Sequence, residues 1–160
     1  MRGTARNRSG FSIVEIALAL GVAAVCLVTI FALLPIGLQT TQNADQELAS
    51  GDLIGSVIAD LRATPVTTPP GNATTSPKFA ISIPANPVGL STTTTLFFNS
   101  EGQSSTSLIS NSRYQLTITF LPNTGSRSAT LIGLKVTWPA AASPANAAGS
   151  TEMFLALNRN

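Results

Sequence analysis

The chain has 160 residues, of which 44% are hydrophobic and only 10% charged, with no histidine. That is room for one domain with a modest core, and far fewer charges than the roughly 25% usual in soluble domains. The net charge of +2 does not mark a nucleic-acid surface: Arg2, Arg6 and Arg8 sit at the N-terminal tip, and the rest of the chain carries six basic against seven acidic side chains.

After the basic tip (1–10) comes a long apolar stretch. Residues 16–38 hold no charge, and at about 1.5 Å per residue a helix of this length spans the ~30 Å hydrocarbon core of a bilayer. The stretch exceeds the 7–15 residues of a secretory-signal core, and no A-x-A site closes it. The positive-inside rule keeps the basic tip cytoplasmic and puts the rest of the chain beyond the membrane. A plain signal anchor would look the same in these respects. The only cysteine, Cys26, lies inside the stretch, so no intrachain disulfide can form.

Past residue 38 the sequence turns polar, while Leu48, Ile54, Val57, Ile58 and Leu61 recur at helical spacing. This predicts one helix from about residue 11 to residue 62, about 75 Å long, membrane-spanning over 11–38 and amphipathic over 39–63. Pro35 falls inside it and predicts a kink or local melting near residues 31–35. Pro65 ends it.

The next segment, ATPVTTPPGNATTSPK, has four prolines and no apolar period, so it reads as an irregular loop. Its triplet Asn72-Ala73-Thr74 matches a glycosylation acceptor, which is taken as chance. Strand signals follow in FAISI (79–83), TTLFF (94–98), YQLTITFLP (114–122), TLIGLKVTWP (130–139) and MFLAL (153–157). In the clearest, Tyr114, Leu116, Ile118 and Phe120 alternate with Gln115, Thr117 and Thr119, the pattern of a half-buried antiparallel strand. Trp138 reads as a core or edge residue. The predicted fold is α+β, a long N-terminal helix whose second half packs on a four- or five-stranded antiparallel sheet formed within residues 64–160.

One detail sets the apolar stretch apart. Gly10 directly precedes Phe11, and a single acid, Glu15, is the fifth residue counted from Phe11. Basic leader, Gly, then FSIVE, then about twenty apolar residues: this order resembles the class III signal of type IV pilins and pseudopilins. The strand sequences YQLTITF and VTWP look like the minor pilin V group. More narrowly, LALGVAA, IFALLPIGL, ADLRATP, VTWPAAA and FLALNR are similar to the pilin-like family called Verru_Chthon cassette protein B. The resemblance covers nearly the whole chain, and its specific part is the N-terminal motif.

The resemblance implies a prepilin peptidase that cuts between Gly10 and Phe11 on the cytoplasmic side and methylates the new amine of Phe11. It implies partners in other pilin or pseudopilin subunits, met through residues 11–38, together with an assembly platform and membrane lipid. It implies a bacterial inner-membrane precursor, single-pass, that moves into a type IV pilus or a type II secretion pseudopilus. Glu15 either neutralises the amine of its own chain or pairs with that of a neighbouring subunit. Many pilins carry a proline in the twenties of the mature chain, and Pro35 would be the twenty-fifth. The runner-up is an inner-membrane-anchored binding module that displays its head outside the membrane and never polymerises.

The sequence points to no catalysis, cofactor or metal. There is no histidine, no G-x-S-x-G, and no phosphate loop. Asp45, Glu47, Asp52 and Asp60 read as a solvated helix face rather than a metal loop. The last forty residues hold one acid, Glu152, too few for the calcium cage of some pseudopilins.

Overall fold

The computed structural model describes residues 12–125 and 128–159. The chain divides into two units, residues 1–42 and 43–160. One helix, α1 (Ile13–Ala63), runs through the boundary. Seven strands follow: β1 (Thr74–Thr75), β2 (Ser82–Ile83), β3 (Thr92–Phe98), β4 (Ser104–Ser105), β5 (Tyr114–Phe120), β6 (Thr130–Trp138) and β7 (Gly149–Leu157).

Within the first unit, residues 31–35 stay helical, so the local melting expected at Pro35 does not occur. Proline removes a single ladder bond. In an apolar stretch every other backbone polar group still has to be paired inside the helix, which favours keeping the remaining turns.

The second unit is an α+β head. Five antiparallel strands lie in the order β4-β3-β5-β6-β7, with β4 a two-residue hairpin return on the outer side of β3. The remaining strands form a meander, and α1 packs on the sheet through Leu53, Ile54, Val57 and Leu61. β5 shows the predicted alternation, with Tyr114, Leu116, Ile118 and Phe120 buried and the intervening polar residues half-buried. Removing a side chain such as Ile54 or Leu61 from water contributes about 1.5–3 kcal/mol. The Ser50 and Thr151 hydroxyls, 2.7 Å apart, tie the helix to β7.

Three expectations are corrected. Leu48 is 70% exposed. It lies about half a turn round the helix from Val57, and the buried stripe is Ser50, Leu53, Ile54, Val57, Asp60 and Leu61. FAISI contributes only Ser82–Ile83, which pairs with Thr74–Thr75 in a separate two-stranded sheet. Ala80, at φ 53°, takes the left-handed conformation and breaks the extended run, although Phe79, Ile81 and Ile83 are still buried alternately. The loop before them therefore carries a short strand of its own at 74–75. Finally, the last strand begins at Gly149 rather than Met153, because small polar residues there carry no alternation to read.

Gly149 has a packing reason. It pairs with Trp138 across β6 and β7, and the indole covers it so closely that a Cβ would overlap the ring, with Nε1 only 2.8 Å away. Trp138 in turn meets Tyr114 edge to face at 6.4 Å. Gly149→Ala is expected to cost about 1–3 kcal/mol by forcing the indole out of its place. Trp138 is the only tryptophan, so a shifted fluorescence maximum together with a lowered urea midpoint checks this directly. Unchanged emission would mean that the ring has room to yield.

Candidate functional site

Gly10 and Phe11 lie outside the described residues. At Ser12 the start of α1 is a helix cap. The Ser12 hydroxyl accepts the Val14 N–H at 3.3 Å, and the Ser12 carbonyl accepts from Glu15 at 3.0 Å and Ile16 at 3.1 Å. Ser12-Ile13-Val14-Glu15 has the S-x-x-E form of a capping box, with Glu15 at the third helical position. A carboxylate in this first turn also faces the positive end of the helix dipole. Glu15 is the acid of the helix's first turn, the place where a carboxylate favours the start of its own helix.

Beyond Glu15 the helix presents Ile16, Leu18, Leu20, Val22, Val25 and Leu27 as exposed apolar side chains, and this pattern continues through Leu38. It is long and apolar enough to cross a membrane. Its few hydroxyls bond back to their own helix. Thr29 donates to the Val25 carbonyl at 2.5 Å, Thr40 to Ile36 at 2.9 Å and Thr41 to Gly37 at 3.0 Å. Such bonds give each of these hydroxyl hydrogens an acceptor on its own helix. Cys26 is exposed on the same stretch.

The head has three features that sequence reasoning missed. Asp60 is buried rather than solvated. Its Oδ1 accepts the Lys78 N–H at 2.7 Å and its Oδ2 the Phe79 N–H at 3.0 Å. The signal was present: Asp60 lies three residues after Val57 and next to Leu61, inside the apolar stripe. Arg159, four per cent exposed, donates through Nη1 to the Pro84 carbonyl at 3.1 Å and through Nη2 to the Asn72 carbonyl. Burial pulls its pKa below the usual guanidinium value. It clasps the end of β7 to two loops. A third clasp joins Asn123 and Asn86: Asn123 accepts Val88 N–H at 2.7 Å and donates to Asn86 Oδ1 at 3.0 Å.

The head surface carries several open depressions. One, about 310 Å³, lies among Asp52, Ser56, Lys78, Asn99 and Glu101. Another, about 370 Å³, lies among Gln46, Arg113, Tyr114, Trp138 and Pro139. Among the described residues no three His, Cys, Asp or Glu side chains come together as metal ligands would. No protein-family model, curated protein or solved structure matches the chain.

Proposed function

We propose that the chain is a pilin-like structural subunit of the minor-pilin or pseudopilin kind, made as a membrane-anchored precursor and incorporated into a type IV pilus or secretion pseudopilus. The observation that carries this reading is the register of the N-terminal motif. A basic leader, Gly10, Phe11 and Glu15 stand in order before an uncharged stretch, and that stretch continues as one helix into an α+β head. In this reading Gly10 lets the extended leader enter the peptidase, Phe11 supplies the new amine, and Glu15 sits within a turn of it. Ile16, Ala19, Leu20 and Ala23 line a shallow apolar depression beside Glu15, where the small side chains leave room for a neighbouring helix.

The reading makes a mass prediction. Protein extracted from membranes with an active prepilin peptidase is expected to begin at Phe11 and carry one added methyl group, as read by intact-mass spectrometry. A chain that keeps residues 1–10 under those conditions sinks the proposal. The anchored binding module is favoured by the open depressions on the head, and it shares the same anchor. Recovery of the chain in a sheared filament fraction separates the two, because only an assembled subunit appears there.

A further inference from the structure

β7 is the last strand of the five-stranded sheet, and its register with β6 runs unbroken from Thr130↔Leu157 to Trp138↔Gly149. The direction of its backbone groups can be worked out. Leu121 N–H donates to the Leu131 carbonyl, so odd-numbered residues of β6 bond to β5. Antiparallel ladders alternate, so even-numbered residues of β6 bond to β7, where the register sets them against Gly149, Thr151, Met153, Leu155 and Leu157. The N–H and C=O groups of Ser150, Glu152, Phe154 and Ala156 therefore point away from the sheet. Among the described residues no backbone hydrogen bond from outside the sheet reaches them.

The usual protections of such an edge are missing. The strand has no proline and no lysine. Its one charge, Glu152, is matched by Lys135 at 2.6 Å. Each face exposes one large apolar side chain at the edge, Met153 at 45% on the core side and Phe154 at 74% on the outer side. Met153 stands out because its cross-strand partner Leu134 and its neighbour Leu155 are both buried.

We propose that this edge binds a second copy of itself, β7 against β7, antiparallel about a twofold axis at Met153. The strand's own register selects the axis. With the axis at 153, Ser150 pairs with Ala156 and Glu152 with Phe154 of the second copy, so all four outward residues are satisfied. An axis at 152 opposes the two Glu152 carboxylates and leaves Ala156 without a strand partner. An axis at 154 leaves Ser150 without one. At 153 the two methionines form a non-hydrogen-bonded pair, with Cα atoms about 4.5 Å apart, and each covers the other's exposed side chain. The contact is isologous, as in most homodimers, and main-chain bonds supply its specificity. It rests on the head alone and holds whether or not the chain polymerises.

Cysteine scanning tests it in the full-length protein in its membrane, with Cys26→Ser as background. Met153→Cys should give a disulfide dimer in about fivefold or greater excess over Leu90→Cys, an exposed collision control, because its Cα spacing suits a disulfide. Glu152→Cys should stay near the control, since its two Cα atoms would lie beyond the ~7 Å reach of the bond. Adding Phe154→Pro removes an outward N–H while leaving the β6 ladder untouched, and should return the Met153→Cys dimer to the control level. A yield at 153 no higher than at 90, a maximum at 152, or a disulfide to a different protein overturns the proposal. So does a dimer that survives Phe154→Pro with the strand signal in circular dichroism intact.

Discussion

Asp60→Ala is expected to lower the unfolding temperature of the head by roughly 10–20 °C, the shift that a loss of about 3–5 kcal/mol produces in a domain of this size. The size follows from what the carboxylate holds. Both oxygens accept backbone amides, from Lys78 and Phe79, at hydrogen-bond distances of 2.7 and 3.0 Å. A bond to a charged group is worth about 1.5–3 kcal/mol, and a buried amide left without an acceptor costs the full desolvation of that group. An acid near the end of a helix also works against the helix dipole, so Asp60 costs something in α1 itself. The loop it anchors accounts for its place there. Phe79 packs edge to face on Phe98 at 5.5 Å, so losing the anchor also loosens the core beneath β3. Asp60→Asn keeps one acceptor and should fall about halfway. Thermal circular dichroism of the full chain in detergent reads both variants. If Asp60→Ala melts with the parent, the loop is held by its side-chain packing alone.

Glu15→Gln is the second large effect, and it tests the assembly reading. Glutamine serves at the third position of a capping box as glutamate does, so the helix start survives the change. Only the charge is removed. Under the proposed function the variant should insert, be cut after Gly10 and accumulate in the membrane, while its share in sheared filaments falls about tenfold or more. The reason lies in the medium: an ion pair in hydrocarbon is far stronger than in water, and an amine left without its carboxylate is correspondingly costly. A carboxylate at mid-span costs about 2.5–3.5 kcal/mol on insertion scales, less near the interface. If Glu15→Gln enters filaments as the parent does, Glu15 serves its own helix start and nothing more.

Much of the head could be read from alternation alone. β5 and β6 appear where Tyr114 to Phe120 and Ile132 to Trp138 alternate, because a half-buried strand leaves that trace in its own sequence. The helix stripe was read with one wrong member, Leu48, since spacings of three and four can be satisfied by more than one face. Asp60 and Arg159 escaped because residue type argues for the surface. Only the positions of Lys78, Phe79, Asn72 and Pro84 make their burial favourable, and those positions are set by tertiary structure. The edge of β7 was hidden for a different reason: strand order is a property of the fold, and MFLAL would read the same in the middle of a sheet. The N-terminal motif was read from order and spacing alone, and Gly10 and Phe11 lie outside the described residues.

The stripe on α1 has a consequence for timing. Leu53, Ile54, Val57 and Leu61 are made early, but most of the core residues that join them lie between Leu96 and Leu157. The Ser50–Thr151 bond spans 101 positions and the Arg159–Asn72 bond 87. At about 5–20 residues per second of synthesis, the helix waits on the order of 5–20 s for its sheet. During that interval the nascent chain leaves this apolar face uncovered, and any holdase that protects it has that window in which to act.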